Sequence, residues 1–533
     1  MYVDTAPYTK NGKTYKRHLL RKSFREDGKV KKKTIASLCC LKPEEINCIK
    51  LALQSKGDLS VLKNISNATV SQGKSYGAVL LLSKIAQELG ITEILGNSAD
   101  GKIALWQIIG RVLFQGSRLS LIRNLEIHAA EELLNLPKKI TPKKLHSNLC
   151  WVKRNQSRIE KELHARNKGQ LGQSLYLYDV TSSYLEGECN ELGMYGYNRD
   201  KKRGKKQIVI GLLTNSKGYP VAVRVFKGNT SDPKIVLEQI NILKDEFFVK
   251  RVVLVGDRAM LTKPQTESLP NDYSYITAIG KRQVEKLIKD DVLQLSLFDN
   301  TIEEIESEGI RYIVRRSPIR KQEIEESRSS KIASLRIKID GANKYLLEHP
   351  KAKTDTSLKD LDTYLNKLKI NKFAQITSDE RTIKLIINEQ ELKEESKLDG
   401  CYCITTDLTK EEASKETVHA RYKDLALVER AFRAMKQSHL EIRPLFLRRE
   451  DRTKAYVFIT MLGYMMQKKL NEYWKEAGIP VSEGLSALTT VTTGMVSVAN
   501  IKINTTIKPT GICKKLMELA EVAIPKQIGS VYT

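Results

Sequence analysis

The spacing of apolar residues changes repeatedly along the chain, and each change predicts a different kind of structure. Residues 1–40 alternate between apolar and polar positions and contain an Asn-Gly and an Asp-Gly pair, which favour tight hairpin turns. Residues 75–165 instead repeat apolar residues every three or four positions, as amphipathic helices do. We therefore predict a basic β-meander followed by helices, together forming an N-terminal region over residues 1–165.

Runs rich in Val, Ile and Leu begin at Leu175 and predict β-strands. These strands are expected at residues 175–180, 206–215, 219–226 and 250–257. Before the last of them, Asp232 as N-cap and Pro233 in the first turn predict the start of a helix. Three strands, a helix and a further strand together predict a mixed α/β sheet.

The α/β pattern is interrupted after residue 280 and resumes at residue 418. We assign residues 170–280 and 418–470 to one core domain. Residues 281–417 are rich in Lys, Glu and Ser, and we predict that they form an inserted β-rich module with a charged helical arm. A strongly periodic helix is predicted over Val418–Gln437, and residues 471–533 form a C-terminal region.

The net charge of the chain indicates which kind of partner it binds. The 533 residues are too many for a single hydrophobic core, so several domains are expected. The chain carries 90 Lys and Arg against 63 Asp and Glu, a net charge of +27 that is spread along most of its length. A polyanion is therefore the expected partner, and nucleic acid is a better candidate than a membrane surface.

The apolar and cysteine content predicts a location. The longest apolar run, near Ala455–Met466, is shorter than the roughly 20 residues that cross a bilayer, so it predicts a buried helix. The first residues lack the apolar segment of a signal peptide. The eight cysteines form no CxxC pair and have no histidines at zinc-ligand spacing. We therefore expect reduced thiols in a cytoplasmic protein associated with the nucleoid.

Two aspartates follow apolar strand runs, where a carboxylate is costly to bury. Asp179 comes after the first run, and Asp257 comes after the last. Groups at the carboxyl ends of neighbouring strands meet at one edge of a sheet. Two carboxylates there can share a hard divalent cation such as Mg²⁺. The alternative is that each aspartate caps the turn after its strand.

Glu429 lies in the periodic helix and is a third candidate. Tyr422, Glu429 and Lys436 are seven residues apart, so they line one edge of the apolar helix face. Glu429 has two possible roles from the helix alone. It can pair with Arg433 one turn later, or it can complete a metal site against the sheet.

These residues resemble those of a known family. The spacing Tyr422-x2-Leu425-x3-Glu429-x6-Lys436 resembles the YREK signature of insertion-sequence DDE transposases. The segments around Asp179 and Asp257 resemble the blocks around that family's two aspartates, and the likeness spans roughly Leu175–Gln467. It implies a ribonuclease-H-like fold with an insertion before the glutamate helix, which is where residues 281–417 lie.

The resemblance implies a function and a mechanism. Asp179, Asp257 and Glu429 would be the catalytic residues and would hold two Mg²⁺ or Mn²⁺ ions, which can promote in-line displacement at phosphorus. The expected activity is cut-and-paste transposition of double-stranded DNA. It comprises binding to terminal inverted repeats, cleavage at the 3′ ends and strand transfer, carried out by a homodimer on the DNA.

Further residues are expected to contact DNA. Tyr422 and Lys436 lie on the edge of the glutamate helix, where the lysine suits a phosphate near the cut, and the N-terminal region is expected to bind the terminal repeats. The remaining candidates lie in the basic loop before the second strand, directly after Asp257 and on the glutamate helix; they are Lys202, Arg203, Lys205, Arg258 and Arg433.

One position departs from the family pattern. Leu425 stands where the signature has an arginine that is associated with holding the DNA end. Lys423, Arg430 and Arg433 are the candidates to replace it. Two other functions stay open from the sequence: a metal-dependent nuclease that does not join strands, and a DNA-binding protein with a decayed catalytic core.

Overall fold

A computed structural model gives the structure of the chain. It describes residues 1–10, 13–54, 69–167, 175–197, 199–200, 202–231, 236, 238, 240–247, 249, 251–299, 302–437, 440–442, 445–498, 501–525 and 528. Two compact units are present. The first comprises Met1–Leu80, Glu126–Leu133 and Gly484–Thr533, and the second comprises Leu81–Leu125 and Leu134–Glu483.

Runs of strands and runs of helices follow one another along the described chain. The strands are β1 (Tyr2–Lys10), β2 (Lys13–Glu26), β3 (Lys29–Ser37), β4 (Thr69–Ser75), β5 (Leu175–Tyr184), β6 (Gln207–Asn215), β7 (Pro220–Lys227), β8 (Val252–Val255), β9 (Tyr273–Ala278), β10 (Glu303–Ser307), β11 (Ile310–Arg316), β12 (Ala374–Asp379), β13 (Thr382–Ile387), β14 (Cys401–Thr406), β15 (Thr492–Val498) and β16 (Ile501–Thr506).

The helices are α1 (Pro43–Gln54), α2 (Gly77–Glu88), α3 (Ile91–Leu95), α4 (Ala99–Leu113), α5 (Arg118–Ile127), α6 (Ala130–Leu133), α7 (Pro142–Asn167), α8 (Lys263–Glu267), α9 (Lys281–Lys289), α10 (Pro318–Glu348), α11 (Thr354–Leu368), α12 (Glu389–Ser396), α13 (Lys415–Lys423), α14 (Leu425–Gln437), α15 (Glu450–Tyr473), α16 (Val481–Leu488) and α17 (Gly511–Leu519).

The first unit contains the predicted β-meander. Strands β1, β2 and β3 pair antiparallel in sequence order. Asp27 and Gly28 turn between β2 and β3 with φ of 52° and 73°, the left-handed values that a two-residue type I′ turn needs. The hairpin predicted at this Asp-Gly pair is therefore confirmed. The Asn-Gly pair at residues 11 and 12 lies outside the described residues.

A second sheet in the first unit joins distant parts of the chain. Its strand order is β16-β15-β4, and β15 pairs antiparallel with both neighbours. The hydroxyl of Tyr76, just after β4, donates to the carbonyl of Ile507 at 2.8 Å. The predicted C-terminal region, residues 471–533, is thus shared. The part from Gly484 onward belongs to the first unit. Its strand β15 lies between β16 and the N-terminal strand β4 and pairs with both.

The second unit is built on a mixed sheet of eight strands in the order β10-β11-β14-β9-β8-β5-β6-β7. Strands β5, β6 and β7 pair antiparallel, whereas β5 with β8 and β8 with β9 pair parallel. This mixed arrangement is that of a ribonuclease-H-like sheet, and the predicted fold class is confirmed. Every residue of β6 is buried, as expected for a strand covered on both faces.

The region predicted as an inserted module is divided in the structure. Strands β10, β11 and β14 extend the main sheet beyond β9, because β14 pairs antiparallel with β9. The hairpin of β12 and β13 instead packs with α10 and α11. This packing makes a separate small core that includes Leu335, Ile339, Leu361, Leu365 and Ile383. The helical arm and the hairpin therefore form the part that projects from the sheet.

Two further predictions differ from the structure. Residues 81–125 and 134–165 belong to the second unit rather than to one N-terminal region. The predicted helix over Val418–Gln437 is broken at Asp424 into α13 and α14. Part of the helix predicted from Asp232 lies outside the described residues, and Ile242–Glu246 forms a π-helical turn.

Helix α15 lies at the centre of the second unit. It packs against α4, α7 and β7, and buries residues from Thr453 to Leu470. The buried helix predicted at Ala455–Met466 is therefore confirmed. Among the helices of the described ranges, none is both long enough and apolar enough to cross a membrane.

A buried ion pair joins α7 to β7. The Arg224 guanidinium donates to the Glu160 carboxylate at 2.6 Å, and the glutamate side chain is fully buried. The other oxygen of Glu160 accepts from the Gln156 amide at 3.0 Å and from the Val223 N–H at 3.1 Å. Both carboxylate oxygens are thus satisfied, which is the condition for tolerating a charge in a core.

We expect Glu160→Ala to lower the free energy of unfolding of the second unit by about 3 kcal/mol, because it leaves Arg224 buried without this partner. The matched control is Glu162→Ala. Glu162 is exposed and pairs with Arg158 along the helix, so the expected change is below about 0.5 kcal/mol. Urea denaturation followed by tryptophan fluorescence measures both, and equal effects would contradict the buried pair's role.

Candidate active site

The pairing of β5 with β8 aligns the two aspartates. These strands are parallel, and Leu177 pairs with Val255. Asp179 and Asp257 each lie two residues beyond this pair; Asp179 is still within β5, whereas Asp257 follows the end of β8. Paired strands are about 4.8 Å apart, and the charge of Asp257 acts on Asp179, so the two carboxylates lie near each other at this edge of the sheet.

The aspartates have different local environments. Asp179 lies within β5, which continues to Tyr184, so it does not end the strand as the sequence suggested. Its Oδ1 accepts a hydrogen bond from the Val180 N–H at 2.7 Å. Asp257 follows β8, and its Oδ1 caps the next turn by accepting from the Ala259 N–H at 3.0 Å and the Met260 N–H at 3.1 Å. The turn-capping alternative thus holds for one oxygen of Asp257 and leaves Oδ2 available.

Glu429 approaches the same edge from α14, which packs on β5. The pKa of Asp179 is raised to about 7, chiefly by burial and also by the charges of Asp257 and Glu429, while the Val180 N–H and Arg199 oppose the rise. The three predicted carboxylates therefore act on one another. Within the described ranges Glu429 is exposed and makes no ion pair with Arg433, so the salt-bridge alternative is not observed.

The carboxylates suit a divalent cation by chemistry but do not form a closed cage. Carboxylate oxygens are the ligands that Mg²⁺ prefers, and a cation would relieve the repulsion that raises the pKa of Asp179. In the part of the chain that the structure describes, no three His, Cys, Asp or Glu side chains are arranged to hold a metal ion. The donors are thus gathered at one edge without being preformed as a ligand set.

A cavity opens beside Asp257. It has a volume of about 620 Å³, and Arg258, Tyr402 and Tyr422 are among its lining residues. Tyr422 is half-buried, and burial followed by the charge of Asp257 raises the pKa of its hydroxyl. The break at Asp424 therefore does not remove Tyr422 from the site, although it places Tyr422 and Glu429 on different helices.

Comparison with known proteins identifies the family. A model of the transposase DDE domain matches residues 170–466, more than half of the chain. The chain belongs to the DDE transposase family. A model of the IS1634 family transposase N-terminal domain matches residues 5–61, so this is an insertion-sequence transposase. The predicted family, an insertion-sequence DDE transposase, and the predicted enzyme class are confirmed. DNA binding and dependence on a divalent metal come with the family.

The chain was also compared with solved structures and with curated proteins. The chain is similar to a chain in the cryo-EM structure of the piggyBac transposase synaptic complex with hairpin DNA, at 8% identity and a TM-score of 0.35. The similarity covers 78% of this chain and 76% of the other. No curated protein matches this chain.

Lys436 does not lie open to a phosphate in this transposase. Its ammonium group pairs with Asp200 at 2.9 Å, and the two side chains are only 10% and 4% exposed. The lysine thereby ties α14 to the loop between β5 and β6. Asp200 was missed by sequence reasoning, although a single acid within a run of bases is the pattern of a residue that pairs with a cation.

The other predicted DNA contacts are exposed. Arg258 and Arg433 reach solvent near the carboxylates, and Arg203 is exposed in the basic loop. Lys205 pairs with Glu186 at 2.7 Å, and Lys202 lies 5.9 Å from the Tyr184 ring centroid. Arg199 was also missed as a site residue. Its charge lowers the pKa of Asp179, so this residue of the loop acts on that carboxylate.

The raised pKa of Asp179 predicts a pH-dependent stability in metal-free buffer. An aspartate in an unfolded chain has a pKa near 4, so between about pH 4 and pH 7 the folded state holds one more proton. The contribution of Asp179 to the free energy of unfolding is therefore fully present below about pH 4. It is lost as pH rises through about 7, at up to about 1.4 kcal/mol per pH unit.

We expect Asp179→Asn to stabilise the protein relative to wild type by about 2 kcal/mol more at pH 8 than at pH 5, because asparagine does not ionise. Urea denaturation with EDTA at a series of pH values measures the difference. Parallel profiles for wild type and variant would show that Asp179 is not held in this environment.

Proposed function

We propose that this transposase binds the terminal inverted repeats of its element and catalyses cut-and-paste transposition. Asp179, Asp257 and Glu429 are the catalytic residues in this proposal. The observation that carries it is the β5–β8 register, which sets the two aspartates side by side, together with the effect of Glu429 on Asp179. The proposed location of the reaction is the nucleoid, where the DNA is.

Asp179, Asp257 and Glu429 would hold two Mg²⁺ or Mn²⁺ ions when DNA is bound, and the ions would supply activation of an attacking hydroxyl and stabilisation of a leaving oxygen in displacement at phosphorus. Because Oδ1 of Asp257 caps a turn, Oδ2 is the oxygen that would be offered to a cation. Water first cuts the strand and leaves a 3′-OH, which then attacks target DNA at the same site. No covalent link between protein and DNA is required.

Exposed cations hold the DNA beside the carboxylates. Arg258 and Tyr422 line the cavity next to Asp257 and contact the strand to be cut. Arg433 lies one helical turn after Glu429 on the same face. Lys202, Arg203 and Lys205 contact the backbone from the basic loop. Lys436 takes part by fixing that loop through Asp200. Two ends must be cut and joined together, so the active form on DNA is a homodimer.

We expect Asp179→Asn, Asp257→Asn and Glu429→Gln each to reduce strand cleavage at least about a thousandfold, because the three side chains act as one unit. The substrate is DNA carrying the inverted repeats that flank the coding region, with Mg²⁺ or Mn²⁺. Affinity for this DNA in EDTA should stay close to that of wild type.

The matched control is Asp272→Asn. Asp272 is exposed and precedes β9, at the sheet edge opposite to Asp257, so its loss should leave cleavage unchanged. A catalytic variant that cuts at the wild-type rate would remove that residue from the site. Complete inactivity of the wild type with both metals would instead favour a decayed DNA-binding protein.

Strand transfer separates a transposase reaction from simple nuclease action. We expect wild-type protein, given a pre-cut end with a free 3′-OH and a target plasmid, to produce joined DNA, because the same carboxylates serve both steps. Gel electrophoresis of the plasmid reveals the product. An end with a 3′-deoxy terminus is the control, and cutting without any joined product would indicate a nuclease.

A further inference from the structure

A group of basic side chains lies among the helices of the second unit, outside the candidate active site. Arg111 is on α4, Arg118 begins α5, His146 is on α7 and Arg452 is on α15. The charges of Arg111 and Arg452 act on Arg118, and those of Arg118 and Arg452 act on His146. Four helices thus bring basic groups to one place.

Arg118 and Arg452 lack acidic partners. Within the described ranges neither guanidinium forms an ion pair, and the Nε atom of each is buried without a hydrogen bond. The Nδ1 atom of His146 is buried in the same way. The pKa of Arg118 is lowered to about 10, chiefly by burial and also by Arg111 and Arg452, while Tyr456 opposes the change. Burial and the charges of Arg118 and Arg452 also lower the pKa of His146. Uncompensated buried charge of this kind is destabilising.

Arg111 has a structural role that the others do not share. Its guanidinium donates to the carbonyls of Leu440 at 2.5 Å and Glu441 at 2.6 Å, and so fixes the chain after α14. Arg111 and Arg118 each lie 5.2 Å from the ring centroid of Tyr456, a cation–π distance. One aromatic ring therefore faces two cations and neutralises neither.

Nearby carboxylates do not compensate the cluster. Asp451 accepts from the Arg449 guanidinium at 3.1 Å and from the backbone N–H of Arg452 at 2.8 Å, so it does not hold the Arg452 guanidinium. The charge of Glu441 acts on Tyr456, yet within the described residues its carboxylate makes no ion pair with these arginines. An outside anion is what the cluster lacks.

Two members of the cluster, Arg111 and Arg118, line a small cleft at the start of α5, and the charge of Arg452 acts on Arg118 beside it. Gly116, Ser117, Arg118 and Tyr456 are among the lining residues, and the free volume is about 30 Å³. That is room for about two water molecules, which suits one phosphate group and is too small for a base. Ser117 caps the helix by accepting from the Ser120 N–H at 3.2 Å, and the helix N-terminus adds a favourable field for an anion.

We propose that Arg118 and Arg452, with His146 and the start of α5, bind one phosphate group of the DNA backbone. Guanidinium groups match phosphate oxygens in geometry, and the anion supplies the charge that the cluster lacks. DNA is favoured as its source because the chain carries a net charge of +27. This inference rests on the proposed function, since it assumes that the DNA is the transposase's own end.

The phosphate at this site is an anchor rather than the one that reacts. Arg111 holds the chain just after α14, and that chain returns to the end of the helix, where the Ile442 N–H donates to the carbonyl of Met435. Met435 is about 9 Å along the helix from Glu429. Binding here should therefore set the affinity and position of the DNA without contributing to chemistry at the cut.

The test compares Arg118→Met and Arg452→Met with Arg123→Met, an exposed cation on α5. Affinity for end DNA is measured in EDTA at several salt concentrations. We expect each of the first two variants to weaken binding roughly tenfold or more, because a hydrogen-bonded charge pair is lost. Each should also reduce the slope of log affinity against log salt by about one, while Arg123→Met changes binding only slightly.

A second readout separates binding from packing. Without DNA, Arg118→Met should melt at the wild-type temperature or above it, because a buried uncompensated charge is removed. Inorganic phosphate should raise the melting temperature of wild type but not of Arg118→Met. A variant that melts lower with an unchanged salt slope would make Arg118 a packing residue. Equal losses of DNA affinity in Arg118→Met and Arg123→Met would show that only the net charge of the protein matters. Either result overturns the proposal.

The remaining outcomes assign the source of the phosphate. Protection by phosphate with unchanged DNA affinity in Arg118→Met would show a site for free phosphate and overturn the DNA assignment. If wild-type protein binds no end DNA, the proposed function fails, and the phosphate titration still decides whether the cluster binds an anion. Normal DNA affinity with no cleavage would count against the catalytic residues and leave this site standing.

Discussion

The parallel pairing of β5 with β8 is the interaction on which the candidate site depends. It sets Leu177 opposite Val255, and so brings Asp179 in β5 and Asp257 after β8 to the same end of the paired strands. A slip of one residue would turn one of the two carboxylates to the other face of the sheet. The buried antiparallel pairing of β5 with β6 opposes such a slip, because their apolar residues fit the core in one register only.

The same geometry brings like charges together in the free protein, which is electrostatically unfavourable. Three carboxylates act on one another, and the pKa of Asp179 rises to about 7 as a result of burial and of its two neighbours. Around Arg118, by contrast, cations are gathered, and no carboxylate in the described part of the chain forms an ion pair with Arg118 or Arg452. Both imbalances are relieved by what the proposed complex adds, namely divalent cations at the first and a DNA phosphate at the second.

Sequence patterns predicted much of the fold but not its long-range pairings. Apolar runs indicated the strands that became β5 to β8, since a buried strand needs apolar residues on both faces. Nothing local in Cys401–Thr406 indicates that it pairs with β9, or in Thr492–Val498 that it pairs with β4. Such partners are chosen by tertiary packing. The Lys436–Asp200 pair was not predicted either, because its two residues lie 236 positions apart and are brought together only by tertiary packing.

The break at Asp424 gives a physical reason for the departure at Leu425. Asp424 pairs with Arg421 at 3.2 Å, and α14 begins at the next residue, so Leu425 is a half-buried helix start. A side chain at this position packs against its neighbours and does not extend along the face of α14 that carries Glu429. Arg430 is turned about 100° from Glu429, whereas Arg433 lies one turn further on the same face and is exposed. Of the three cations that could replace the arginine, Arg433 is therefore the one whose position follows that of Glu429, the glutamate we propose as catalytic.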